Sequence, residues 1–592
     1  MQPTEAGVAL PARKRRKPVR SETMAARLAY AVLMAAGALY VWHALHWNIN
    51  WDEFNFLAGI YATQEGREQS GLNDFHSIIY FWLPFVPGNE IDQIIVARVA
   101  QLGFFAAAMA VIFMLARKFF IKPIALIVVV LCVTYTDLIR HAFSFRFDTL
   151  CLFFSLTAVY LFYAGKSLMT AAVSGVALAI STLVSVKTVF YIVPLGILGL
   201  YLIGRRAGPR HQIARLVTLA ACAAIFFILV FFLRGIAGPS GATSAAETGA
   251  SALETLHRYG VKMFLTEGLL PKADYLARGM AQNAGHWLLI FTGLLTASVI
   301  AILGVARRHQ VIMMLVFLLP LASILLYRNS FAYFYVYVLP PAMIPAGFAL
   351  DSAYRLATRH SSRIASLLLM AAIAGPVITA GQFLLLEPRQ GTDKQRRIVS
   401  TVHQIFPEGT PYIGAHGMVA SFPRHGFFMS TWGMESYHSR GKPIFQEILR
   451  EHQPKFLLRT HPALTAVSGV PPDPENLHLK LLQQDQRVLR ENFVHHWGPI
   501  SVPGKRIRLD RPHEPTRFEL LVSGPYTLVA EHPVIINNNT ISPGNVMELE
   551  AGIHIVYSAR AAGNAELITL KWGDKLTIPS REAPPQPLYE GL

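Results

Sequence analysis

Asp52 and Glu53 stand side by side near the start of a polar stretch, 48 to 82, that separates two long apolar runs. A positioned carboxylate can take the proton from an attacking hydroxyl. His76 follows within Phe75-His76-Ser77-Ile78-Ile79-Tyr80-Phe81-Trp82, an imidazole set among aromatic rings. Arg146-Phe147-Asp148 adds a second acid and a cation, and Arg98, Lys187 and Arg328 add cations near the ends of other apolar runs. Ionisable groups beside a membrane are costly and are functional candidates by default. Two acids with several cations suit a reaction in which an acceptor hydroxyl loses its proton while an anionic, lipid-linked group departs.

Each of these residues also has a plainer role. Phe54, Leu57, Ala58 and Tyr61 recur at i, i+3, i+4 and i+7, which predicts a short helix lying on the membrane surface with Asp52 capping its start. Glu53 points elsewhere on any helix or strand, so the two acids are not read as sharing a proton. Arg146 and Asp148 can pair with neighbours, and Lys187 and Arg328 can extend to the interface along their stems.

The elements that position these groups follow from composition. Of 592 residues, 53% are hydrophobic and 15% charged. Runs of about twenty apolar residues are long enough to cross a bilayer. They begin with 24 to 44, which is too long for a signal-peptide core and lacks a cleavage pattern. Further runs occupy 92–116, 121–139, 149–164, 169–186, 188–204, 213–233, 286–306, 311–327, 331–350 and 364–386, about eleven spans in all. The net charge of +17 argues for topology and not for nucleic acid, because many basic residues sit in short segments between spans. Arg13 to Lys17 anchor a cytosolic tail, and Arg117-Lys118, Lys166, Arg205-Arg206, Arg307-Arg308 and Arg355 all fall on the same side by alternation. The loops 45–91 and 235–285 and everything after 386 then lie outside.

Cys132, Cys151 and Cys222 fall within spans, so no disulfide framework or CxxC metal site is available. From 387 to 512 a helix feeding a buried strand, Lys442 to Leu458, suggests an α/β region. From 513 to 592 short runs such as Phe518–Val522, Tyr526–Val529 and Ile553–Tyr557, divided by Gly-Pro and Asn-Asn-Asn turns, suggest a β-sandwich. Tyr526, Asn537 to Asn539 and His554 could line a sugar site there, or the asparagines could simply supply turns.

The set Asp52-Glu53, Phe75 to Trp82, Ala97-Arg98, Ala116-Arg117-Lys118-Phe119-Phe120, Arg146, Asp148, Leu183 to Lys187 and Tyr335 to Pro341 resembles the GT-C glycosyltransferases. The pattern is nearest to protein O-mannosyltransferases and lipid A aminoarabinose transferases, over roughly the first 390 residues. Ser77 and Ile78 stand where that family has two prolines, and His76 where it often has lysine. The resemblance implies an inverting transfer of a sugar from a polyprenyl-phosphate donor to an acceptor hydroxyl on the periplasmic face. Asp52 would be general base and Asp148 a second catalytic acid. His76, Lys187, Arg98, Arg146 and Arg328 would face the donor phosphate, with Glu53, Tyr80 and Trp82 in support. It further implies a bacterial inner membrane.

The expected fold is thus a polytopic α-helical membrane protein, GT-C-like, with a cytosolic tail 1–22, a catalytic membrane domain 23–386, and a soluble α/β plus β-sandwich part. Asp52, Glu53, His76 and Asp148 are acceptable ligands for a divalent metal, though no fixed spacing such as HExxH supports one. A transporter or flippase for a lipid-linked glycan is the competing reading, since ionisable groups near spans also build transport paths. Clustering of the polar residues on one side and the lack of repeated halves weigh against it. The sugar and the acceptor, whether glycan, lipid or protein, are not specified.

Overall fold

The computed structural model describes residues 20–66, 74–204, 209–237, 268–303, 308–387, 391–465, 479–511, 514–559, 565–584 and 588–589. The expected basic tail, apart from 20–22, and most of the 235–285 loop lie outside them.

Every apolar run predicted to span is occupied by a helix. They are α1 (Arg20–His46), α4 (Glu90–Arg117), α5 (Lys122–Val133), α7 (Phe147–Ala164), α8 (Leu168–Val184), α9 (Val189–Ile203), α10 (Pro209–Ala237) and four later helices, Ala284–Leu303, Arg308–Ala322, Tyr335–His360 and Ser362–Leu386. Among the described residues, 7 helices are long and apolar enough to cross a membrane. The protein is an integral membrane protein.

Tyr335–His360 is the hub of the bundle. It is buried along most of its length and carries Pro340, Pro341 and Pro345 inside it. Proline is tolerated within a bundle because neighbouring helices satisfy the backbone groups it frees. Gly347 lets α5 approach closely, since a Cβ there would stand 2.6 Å from Val128.

Between spans lie two short helices, α2 (Trp51–Gln64) and α3 (Asp74–Ile79), and between α5 and α7 a third, α6 (Thr136–His141). The helix predicted from the Phe54, Leu57, Ala58 and Tyr61 stripe is therefore present, but Asn50 caps it and not Asp52. The Asn50 side chain accepts from Asp52 N at 2.9 Å, and Glu53 Oε1 accepts from Asn50 N at 3.0 Å, a reciprocal capping box. Asp52 is left at the second helical position with its carboxylate free for other work.

The C-terminal part is joined differently from expectation. One 8-stranded sheet runs β10-β7-β12-β5-β3-β1-β2, with β4 beside β5. Here β1 is Tyr412–Gly414, β2 Arg424–His425, β3 Phe456–Leu458, β4 Phe493–Trp497, β5 Ile500–Leu509, β7 Gly524–Val529, β10 Val546–Leu549 and β12 Glu566–Trp572. A second sheet runs β6-β11-β8-β9, with β6 Thr516–Leu520, β8 Val534–Ile536, β9 Asn539–Ile541 and β11 Gly552–Ser558. Strand β5 pairs with β3 on one edge and β12 on the other, so the first sheet crosses the expected boundary at 512 without a break.

The residues named as a sugar site or as turn formers in this region have structural contacts. Tyr526 is buried and its hydroxyl donates to Val522 O at 2.5 Å. Asn537 and Asn538 take left-handed φ values of 48° and 68°, which asparagine tolerates in turns. His554 lies between the Asn537 side chain and Glu550 O.

This domain sits on one end of the bundle. Gln395 bonds Ile49 through both its amide nitrogen, at 2.7 Å to Ile49 O, and its oxygen, at 2.9 Å from Ile49 N. Ser421 Oγ donates to Glu90 at 2.6 Å, and Arg140 pairs with Glu387 at 2.6 Å. All the candidate residues near Asp52, and those near Arg328, lie at this end.

Candidate functional site

Four segments from distant parts of the chain meet beneath the C-terminal domain. The start of α2 supplies Asp52, the start of α7 supplies Arg146 and Asp148, the 3-10 turn Val186–Thr188 supplies Lys187, and the 3-10 turn Ala332–Phe334 supplies Tyr333. Lys187 Nζ lies 2.7 Å from Asp148 Oδ1, and Arg146 Nε donates to Asp148 Oδ2 at 3.4 Å. Arg146 Nη1 donates to Asp52 Oδ2. Two acids and two cations thus form one chain of charge, Lys187 to Asp148 to Arg146 to Asp52. Asp148, Arg146 and Lys187 are almost fully buried, whereas the Asp52 side chain keeps 19% of its surface.

The cations rest on aromatic rings. The Arg146 guanidinium lies 3.7 Å from the Tyr333 ring centre, and Lys187 Nζ lies 4.6 Å from that of Phe147 and 5.3 Å from that of Tyr333. Ring faces attract cations without neutralising them. Gln101 holds the turn from below, its amide donating to Arg146 O at 2.6 Å. Tyr333 and Gln101 were missed in the sequence because each sits inside an apolar run and reads as packing.

Glu53 and Arg98 belong to a different assembly. Arg98 forks onto Glu53 at 2.6 and 2.7 Å and spends its remaining donors on Trp47 O and Asn48 O. Glu53 also accepts from Phe145 N at 2.7 Å. Arg98 thus spends four of its five N–H donors on Glu53 and the loop before α2, and its side chain is 1% exposed. Arg328 likewise faces the C-terminal domain, with Glu435 at 2.6 Å and the Trp432 ring centre at 4.3 Å.

His76 is packed against Phe56, Tyr80 and Phe145 at ring separations of 5.0, 5.0 and 4.9 Å. Neither of its ring nitrogens has a partner, nor does the buried Tyr80 hydroxyl. Burial pushes the imidazole down to about 3, which favours the neutral ring over the cation. Trp82 donates to Ile79 O at 3.2 Å and braces the same aromatic wall.

The acids do not form a metal ligand set. Arg146 and Lys187 occupy their faces, and among the described residues no three His, Cys, Asp or Glu side chains converge in metal-holding geometry.

No family model and no curated protein matches the sequence. Among solved structures, ArnT from Cupriavidus metallidurans bound to undecaprenyl phosphate matches with a TM-score of 0.50 and 13% identity, over 76% of this chain and 94% of that one. The apo oligosaccharyltransferase of Archaeoglobus fulgidus gives 0.47 and 11%, over 88% and 76% of the two chains. Arabinosyltransferase EmbB from Mycobacterium smegmatis gives 0.36 and 10%, over 95% and 65%. The likeness to ArnT is one of fold.

Proposed function

We propose that this protein is a membrane glycosyltransferase. It moves a sugar from a polyprenyl-phosphate donor to an acceptor hydroxyl on the outer face of a bacterial inner membrane, with the N-terminus cytoplasmic and the C-terminal domain periplasmic. The observation that carries the reading is Asp52, a half-open carboxylate held at one oxygen by Arg146 at the end of a buried charge chain. The fold shared with a protein that binds undecaprenyl phosphate supports a lipid-phosphate donor.

In this reading Arg146 fixes Asp52 through Oδ2 and leaves Oδ1 to accept the proton of the acceptor hydroxyl. The acceptor's hydroxyl oxygen attacks the anomeric carbon as it gives up that proton and as the bond to the lipid phosphate breaks, inverting the centre. The bonding electrons leave with the phosphate, whose growing charge meets Arg146 and Lys187, groups already oriented by Asp148 and Tyr333. His76 and Tyr80 line the wall beside the donor, and the acceptor can be a glycan, a lipid or a protein.

The test is purified protein in vesicles supplied with mixed polyprenyl-phosphate sugars and membrane extract. Free polyprenyl phosphate and a product of opposite anomeric configuration are expected. Donor movement across the bilayer with no release would point to a transporter instead.

A further inference from the structure

His416 of the C-terminal domain lies over Trp51, the residue next to Asp52. The two rings are 4.9 Å apart and inclined by 27°, a stacked arrangement. His461 and Tyr589 close the sides at 4.8 and 5.2 Å, both nearly perpendicular to the imidazole. His416 is 1% exposed and neither ring nitrogen has a hydrogen-bond partner. A buried polar ring without partners is unfavourable by itself, so His416 is held there by the rings packed on it.

The next residue brings the backbones together. Gly417 has φ +73°, and a Cβ on it would meet the Cβ of Ala58 on α2 at 2.6 Å. Arg424 reaches Asn55, also on α2, at 3.3 Å. The underside of α2 is held by the Glu53 pair with Arg98, so the helix carrying Asp52 is gripped from the membrane below and from the C-terminal domain above.

We infer that His416 is a positioning residue for Asp52: its neutral ring, stacked on Trp51, docks the C-terminal domain onto α2 and sets the orientation of the base. This rests on the reading of Asp52 above. The imidazole acts as a flat apolar plate, so phenylalanine should replace it and alanine should not. Burial, with His461 and Arg424 nearby, holds the ring well below the usual imidazole range, in keeping with that role.

The experiment compares His416→Ala and His416→Phe in the full chain reconstituted in lipid discs. Amide hydrogen exchange across Trp51–Gln64 and the separate kinetic constants for transfer are the readouts, with thermal melting to confirm that each variant is folded. For His416→Ala, exchange in α2 should speed up and kcat should fall about tenfold or more, with little change in donor KM. His416→Phe should restore both. Unchanged exchange in a folded His416→Ala protein would overturn the inference, as would a His416→Phe variant as impaired as alanine. If the wild type transfers no sugar, the functional reading fails, while the exchange comparison still decides whether His416 positions α2.

Discussion

Glu53 and Arg98 form a buried, two-pronged ion pair at 2.6 and 2.7 Å, one residue away from Asp52, and the side chains are 0% and 1% exposed. Because Glu53 also closes the Asn50 capping box and accepts from Phe145 N, one carboxylate ties α2, α4 and the turn before α7 together. Adjacent acids thus have separate duties: Glu53 holds the frame and Asp52 is left open.

Removing one partner of such a pair strands a buried charge. Glu53→Ala should destabilise the membrane domain by about 3–5 kcal/mol. Thermal unfolding in detergent measures this, and Arg98→Ala should behave alike. A loss of activity with unchanged melting would assign Glu53 to the chemistry and not to the frame.

Lys187 faces Asp148 and two aromatic rings from within the site. Lys187→Met should lower kcat by about 10²–10³, the size of effect seen when one stabilising donor is lost from a reacting centre. Steady-state kinetics with a short-chain donor would separate this from a change in donor KM alone.

The Tyr333 ring beneath Arg146 is worth about 0.5–2 kcal/mol as a cation–π partner. Tyr333→Leu should therefore slow transfer by roughly two- to thirtyfold on the same scale. Tyr333→Phe should stay close to wild type. An equal loss in both would mean that the hydroxyl matters.

Docking of the C-terminal domain should weaken at both ends of the pH scale. Burial lowers His416, so the unfolded or undocked form binds more protons once the pH falls below about 6.5, and the contribution of the neutral ring is lost as pH falls. His403 is raised by its hydrogen bond to Glu90 at 3.0 Å. Its contribution is full below about 6.5 and is lost as pH rises through the raised value. Limited proteolysis across pH measures docking. His416→Phe should remove the loss that sets in below about 6.5, leaving the alkaline limb and, at lower pH, the loss from Glu90, whose carboxylate is held low by His403 and Ser421.

That the apolar runs form helices was readable because hydropathy over some twenty residues depends on nothing else in the chain, and among the described residues 7 of these helices are long and apolar enough to cross a membrane. The acids and cations of the site were readable as types, since Asp52, Arg146, Asp148 and Lys187 all stand at the ends of apolar runs on one side. Partnership was not readable. Arg98 meets Glu53 45 residues away, and no local pattern distinguishes that pairing from a free phosphate-binding cation. Asp52 looked like a cap because the apolar stripe begins at Phe54, whereas Asn50 starts the helix earlier. The sheet that joins the two C-terminal parts was hidden for the same reason: Glu566 pairs with Leu509, a partnership between residues far apart in the chain.

The most direct measurement of the central claim is release of free polyprenyl phosphate by the wild type and by Asp52→Asn, with donor binding measured on both. The account predicts that the variant binds donor as the wild type does but releases lipid phosphate about 10²- to 10⁴-fold more slowly, the range for loss of a positioned base. Equal release rates in the two proteins would contradict it.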